Sequence, residues 1–515
     1  MTTRNIIKKN TYLDSIMLMS ISSTLKNLES VEEVSTIMGT DANKEILKNS
    51  GLLTGVGKNA GAGDLIIALR VKNESDVKPV IDKAEELFTR RAAESGGEKD
   101  FVPISYESAV NFMPSANIAV ISLPGRYAGR EAMAVLESGR HVMIFSDNVP
   151  LEEEIQLKKR ARELDLLVMG PDCGTAILNG TALGFANVVR KGPIGIIGAS
   201  GTGIQEVTAL IHNKSHGISQ AIGLGGRDLS EEVGGISMIQ GIEALENDPE
   251  TEVIVLISKP PAAKVANKIF DVIRDLKKKY VVNFLKGDPA EAKKRKLLFA
   301  SGLEDAAELA VSALENRDFI YRDFSDDEAK IKAQAGKEKA RIGTGKYVRG
   351  LFSGGTLADE ALLILSREIG DIYSNIPLKK ELALKDRVKS QHNTIVDLGE
   401  DEFTRGRPHP MIDYSLRCGR LLEEAEDPDC GVILFDVVLG YGSHPDPAQA
   451  LVPAIDKAHK IARDNGRNLA FVASITGTDR DPQNLSGQAA SLKNAGVTIL
   501  PSNAQAARYT GLIVK

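Results

Sequence analysis

Residues 195–207, GIIGASGTGIQEV, join an apolar strand to a glycine turn and then a helix. Such a turn leaves backbone N–H groups without partners at the positive end of a helix dipole, which suits a phosphate or carboxylate. It is not a P-loop, because no lysine follows Gly201 or Gly203, and not a dinucleotide fingerprint, because Glu206 stands at the place of the third glycine. Ser200, Gly201, Thr202 and Gly203 are therefore candidates for holding an anion, with a plain tight turn as the alternative. In RGRPHPMID, Arg405 and Arg407 offer guanidinium forks for a carboxylate or phosphate, and His409 and Asp413 follow on a backbone stiffened by two prolines. A packed structural loop would use the same residues. Arg227 and Asp228, after the glycines of AIGLGGRD, would face a crevice at the carboxyl ends of parallel strands. Cys173, in GPDCGT, is a nucleophile only if a histidine or helix terminus lowers its pKa, and otherwise a small core residue. The seven histidines and three cysteines are scattered, so no metal site is expected.

The elements that must position these groups are parallel βα units. Short β-branched runs such as NIAVISL, EVIVLIS and GVILFDVVLG alternate with amphipathic helices such as YAGREAMAVLESG, the pattern of an α/β protein. Residues 1–98 read as a small α+β segment, ferredoxin-like in order, and 99–190 as further βα units. A charged stretch at 316–345 separates two segments of similar order, 191–315 and 346–515. SGTGIQEV answers to SGGTLADEA, and EVIVLIS to GVILFDV, which predicts two copies of one doubly wound domain about a pseudo-twofold axis. A net charge of −6 argues against a nucleic-acid binder, and no apolar run is long enough to span a membrane. A cytoplasmic protein of several domains is expected.

From about residue 101 to 311 the chain resembles the α subunit of succinyl-CoA synthetase and related NDP-forming acyl-CoA synthetases, through FSDNVPLEEEIQLKKRARELDLLVMGPDCGT, GIIGASGTGIQEV and AIGLGGRD. The second half, through IVDLGEDEFTRGRPHPMID and EAEDPDCGVILFDVVLGYGSHPDP, resembles the carboxyl domain of the β subunit. Over nearly its whole length the chain resembles the FdrA family, a fusion of the two, through FSDNV, GLGGRDLS, FSGGTLA, GRPHPMID and TGTDRDPQ. The resemblance implies a Rossmann-like CoA-binding-type domain followed by two flavodoxin-like ligase domains. It also implies a phosphate held between two helix N-termini. The first would be at Ser200–Gly203 and the second near Gly440, Gly442 and Ser443, where Asp446-Pro447 opens a helix. His444, beside that second turn, would be an acid or base, or a surface histidine at a helix start.

The departures are as informative. The synthetases carry a phosphohistidine after the strand that here reads YVVNFLKGD, and the following PAEAKKRKLLFASG holds no histidine. Their glutamate one strand earlier is replaced by Lys259, which would attract a free anion or simply be solvated beside Pro260-Pro261. Neither the glycine loop that cradles CoA nor an ATP-grasp domain is present. The resemblance implies acyl or carbamoyl transfer with inorganic phosphate as substrate: oxalurate and phosphate giving oxamate and carbamoyl phosphate in allantoin degradation. Partner subunits and a homo-oligomer are implied with it. On this reading the two turns hold phosphate, Arg227, Lys259, Arg405 and Arg407 hold the carboxylate, and no cofactor is required, with CoA as an open alternative. An NDP-forming acyl-CoA synthetase is the alternative activity, and a non-catalytic scaffold subunit the third.

Overall fold

The segment VEEVSTIM alternates inward and outward side chains, and it forms the strand Val31–Met38. It pairs antiparallel with Leu65–Val71, which pairs antiparallel with Thr2–Lys8, so the strand that comes third along the chain is central. Helices Ser15–Lys26 and Val77–Glu94 complete a β-α-β-β-α run, a ferredoxin-like arrangement without its fourth strand among the described residues. This is the fold of a computed structural model that describes residues 1–515 apart from 12, 14, 95–102, 104 and 406. The boundary expected at residue 98 lies outside the described residues. The chain divides into two units, Met1–Ala116 with Gly399–Asp413, and Asn117–Leu398 with Tyr414–Lys515.

The second unit is α/β throughout. Strands Ile118–Ile121, His141–Ile144 and Val168–Met169 form a small parallel sheet with helices Gly125–Glu137 and Leu151–Glu163. The strand Val253–Ser258 is buried at all six positions, as a parallel strand covered on both faces must be. It lies in a parallel sheet ordered Leu298–Phe299, Lys279–Phe284, Val253–Ser258, Lys191–Ala199, Ile218–Gly223. The hairpin Thr175–Leu178 and Thr181–Gly184 extends its far edge antiparallel.

The second half repeats this order as Val497–Leu500, Ala470–Thr476, Cys430–Val438, Tyr347–Phe352, Thr394–Asp397, with Tyr373–Ser374 added at the edge. Both are the flavodoxin-like order 2-1-3-4-5. The charged connector becomes the helix Glu328–Ile342, capped by Asp327, after an irregular stretch. Among the described residues no helix is long and apolar enough to cross a membrane.

Candidate functional site

The two copies meet at the amino ends of corresponding helices. Gly201–Asn213 starts at Ser200, whose hydroxyl accepts from Gly203 N–H at 3.0 Å. Gly355–Ile369 starts at Gly354, and Ser200 Oγ lies 2.6 Å from Thr356 Oγ1 of the other half. Contact is close: a Cβ on Gly354 would fall 2.9 Å from Thr202 Cγ2. The second turn is pinned by Asp436, whose carboxylate accepts from Ser353 N–H, Ser353 Oγ–H and Gly354 N–H at 2.8, 2.9 and 2.8 Å. Arg417, fully buried, in turn pairs with Asp436 at 2.9 Å.

Cations and carboxylates surround this junction. Lys259, after the strand Val253–Ser258, and Lys286, after Lys279–Phe284, each lie 3.7 Å from a carboxylate oxygen of Asp359. A Cβ added to Gly355 would fall 3.0 Å from Lys259 Nζ and 2.5 Å from an oxygen of Asp397, so both groups crowd the helix start. Thr175, from the GPDCGT loop, is buried with a hydroxyl that finds no partner, 3.3 Å from where a Gly201 Cβ would stand. The N–H groups of Gly201 and Thr202 find no acceptor among the described residues. Two dipole ends, unpaired donors and two lysines can bind and orient a small dianion.

Sequence reasoning found Ser200–Gly203 and Lys259 at this place. It missed Thr175, Lys286, Thr356, Asp359 and Asp397. The signal for the second helix was in the sequence, because the repeat aligned SGTGIQEV with SGGTLADEA.

Several expected site residues are placed elsewhere. Gly440, Gly442 and Ser443 do not start a helix facing Ser200. Gly440 and Gly442 have φ of +104° and +80°, and the turn docks on Phe185–Asn187, with Tyr441 N–H donating to Ala186 C=O at 2.8 Å. Gly440 N–H donates to Gln483 at 3.0 Å, while Ser443 Oγ is buried without a hydrogen-bond partner. The helix does begin at Pro447, capped by Asp446 as expected. His444 accepts from Asp446 N–H through Nδ1 at 3.0 Å and lies edge-on to Tyr414.

Cys173 is not an activated nucleophile: burial in the core pushes its thiol up to about 12. Asp228 is not available to substrate, being fully buried, 2.7 Å from Lys158, and accepting from Ser237 and Met238 N–H groups. Lys158 also pairs with Glu154, and Glu154 with Arg227 at 2.9 Å, so the GLGGRD loop anchors the helix Leu151–Glu163. Arg405, Arg407, His409 and Asp413 belong to the segment Gly399–Asp413 of the first unit. Both arginines there are exposed, and His409 is half-buried and accepts from Met411 N–H at 3.2 Å.

Glu206 and Glu360, each five residues into its helix, are buried and exchange caps between the halves. Glu206 accepts from Asn503 N–H at 3.1 Å, at the start of the last helix of the second half. Glu360 accepts from Leu303 N–H at 2.6 Å, at the start of the last helix of the first half. Burial raises the pKa of both, Glu360 to about 8. The glutamate in the place of a third glycine thus has a structural cause.

Comparison with known proteins agrees with this architecture. Residues 351–513 match the family model described as CoA-ligase, and 189–287 the CoA binding domain. Residues 1–103 match the model described as AllF, heavy metal-associated domain, although that segment contains neither cysteine nor histidine. The succinate–CoA ligase [ADP-forming] subunit alpha of Methanothermobacter thermautotrophicus is 25% identical, over 38% of this chain and 72% of that protein. The crystal structure of PH0766 from Pyrococcus horikoshii aligns with a TM-score of 0.32 at 14% identity, over 77% of this chain and 83% of that one. The uncharacterized protein YahF of Escherichia coli (strain K12) is 44% identical over 100% of this chain and 98% of its own length. The chain belongs to the family of YahF, and it joins succinyl-CoA synthetase-like CoA-binding and CoA-ligase domains in one polypeptide.

Proposed function

We propose that the junction of the two helix starts handles phosphate or an acyl phosphate, and that the chain transfers an acyl group between phosphate and a second acceptor. The observation that supports this is the pair Lys259 and Lys286 across Asp359, at the place where the resemblance puts a glutamate and a phosphohistidine. Lysines beside two helix starts favour an anion that diffuses in, and no histidine carrier stands in the loop that follows. The enzyme's own contribution is then orientation and charge stabilisation. Gly201 and Thr202 N–H groups and the Ser200, Thr202 and Thr356 hydroxyls position the phosphate oxygen that attacks the acyl carbon. The lysines offset the oxyanion that forms.

Two acceptors fit this chemistry. Similarity to CoA ligases favours a thiol, so that the acyl phosphate exchanges with a CoA thioester in an NDP-forming acid–thiol ligase. The absence of histidine from the loop after Lys279–Phe284 favours carbamoyl transfer: phosphate attacks the carbamoyl carbon of oxalurate, the C–N bond breaks, and oxamate leaves with a proton on its nitrogen. In that case the carboxylate of oxalurate is the second anion, for which Lys259 remains the proposed partner. Purified chain, alone and with co-purifying subunits, is tested for carbamoyl phosphate from oxalurate plus phosphate, and for CoA thioester from ATP, CoA and succinate. Phosphate-dependent turnover that Lys259→Met and Lys286→Met each lower by ~tenfold or more supports the site. Turnover indifferent to both lysines sinks it.

A further inference from the structure

At the opposite end of the first half's sheet, where its strands begin, lies a cavity of about 510 Å³ that the acyl-transfer reading does not use. Two basic runs, KKKY at 277–280 and KKRK at 293–296, build its rim in a chain of net charge −6. Six cations line it: Arg274, Lys278, Lys279, Lys294, Arg295 and Lys296. Ile273, Leu276, Tyr280, Leu297 and Leu298 supply the apolar part of its lining.

The charge balance separates these cations into two groups. Arg274, Arg295 and Lys294 are paired with Asp271, Asp275 and Glu291. Lys278 instead ends on the backbone carbonyls of Leu245 and Asp248, and Lys279 on Ala313 C=O and Asn316 Oδ1, both at 2.6 Å. Neutral acceptors orient these ammonium groups without cancelling their charge. Lys296 has no partner among the described residues. Three of the six lining cations thus lack a carboxylate partner, and no carboxylate lines the cavity.

The repeat supplies an internal control. In the second half the same end of the sheet reads GRNLA before the strand Ala470–Thr476, and LKNAG before Val497–Leu500, so neither basic run is present. There the connector helix Glu328–Ile342 closes the end, with Asn468 Nδ2 donating to Arg341 C=O at 3.0 Å and Arg341 to Leu469 C=O at 2.9 Å. One copy is covered, and the other is open and basic.

We infer that this cavity is a binding site for a nucleoside polyphosphate, its phosphates on Lys278, Lys279 and Lys296 and its base against Tyr280, Leu276 and Leu297. The volume lies within the range of about 300–1,000 Å³ usual for small-molecule sites. Three uncancelled cations call for a ligand with several negative charges, which excludes fatty acids. The apolar part of the lining calls for a flat ring, which sugar phosphates lack. The strands between this cavity and the acyl-transfer junction are six residues long, or roughly 20 Å, so the two sites are separate.

The test is calorimetric titration of the full chain at low salt with ADP and with tripolyphosphate. ADP is expected to bind, with affinity falling as salt rises, and tripolyphosphate at least ~tenfold more weakly for want of a base. Lys296→Glu and Lys279→Gln each weaken ADP by ~tenfold or more, with an unchanged melting temperature for Lys296→Glu, whereas Lys259→Met leaves ADP binding intact. Absence of ADP binding overturns the inference. So does ADP binding that survives both rim variants, or tripolyphosphate binding as tight as ADP. Failure of the acyl-transfer reading is read separately, as carbamoyl phosphate turnover that is indifferent to Lys259 and Lys286 at the other end of the sheet.

Discussion

Identical residue types play opposite parts here according to what surrounds them. Lys158 and Lys259 are both lysines near carboxylates. Lys158 is sealed between Glu154 and Asp228 and serves architecture, while Lys259 lies 3.7 Å from Asp359 and remains 38% exposed. Only the second can turn toward an incoming anion. Cys173 shows the same divide. Its loop borders the Gly201 turn, but its sulfur points into the core, where burial holds the thiol protonated. Iodoacetamide at pH 8 is therefore expected to leave Cys173 unmodified in the folded chain, as read by peptide mass. Cys173→Ala should retain turnover at a stability cost of about 1–2 kcal/mol. Rapid alkylation with loss of turnover would restore the thiol as a candidate nucleophile.

Among the elements, the helix starting at Gly355 carries the most information. Its capping carboxylate, Glu360, is held up at about 8 by burial, against an ordinary value of 4.5. A raised folded-state pKa means that the unfolded chain releases its proton first. The stabilisation is complete below about pH 4.5 and is lost as pH rises toward 8, at up to about 1.4 kcal/mol per unit. Glu360→Gln, which imitates the protonated form, should flatten the fall of the denaturation midpoint between pH 5 and 8. A slope equal to that of the unmodified chain would contradict this account.

The alternation of β-branched runs and amphipathic helices made the strands and the repeat legible in the sequence. The start of the Gly201 helix was legible too, because Ser200 caps it locally. The partner turn was not. Gly440 and Gly442 have the composition of an anion turn, but Gln483, 43 residues on, takes the N–H of Gly440, and Ala186, 255 residues back, takes that of Tyr441 between them. Long-range partners of that kind leave no local spacing to read.

At the scale of the molecule, the two halves are joined by polar groups that each half lacks on its own. Asn503 crosses to Glu206 of the first half through its backbone N–H, while its Nδ2 donates within its own half to Leu357 C=O at 3.0 Å and to Glu360 at 2.7 Å. Asn503→Ala leaves a buried carbonyl and a buried carboxyl each short of a donor, at an expected cost of about 2–3 kcal/mol in denaturant titration. A cost below about 0.5 kcal/mol would mean that the side-chain bonds of Asn503 contribute little to the second half.

The exchanged caps also bear on stoichiometry. Each half finishes its last helix with a carboxyl borrowed from the other, so an unequal supply of halves would leave the surplus with open, uncapped ends. Carrying both on one polypeptide fixes their ratio at one to one, whatever the rate of synthesis. It also places each half at the millimolar local concentration that a short tether provides. The irregular stretch ahead of Asp327 is then a ratio-setting link. If the chain were cut there and its two pieces made in unequal amounts, the piece in excess would be the one to aggregate.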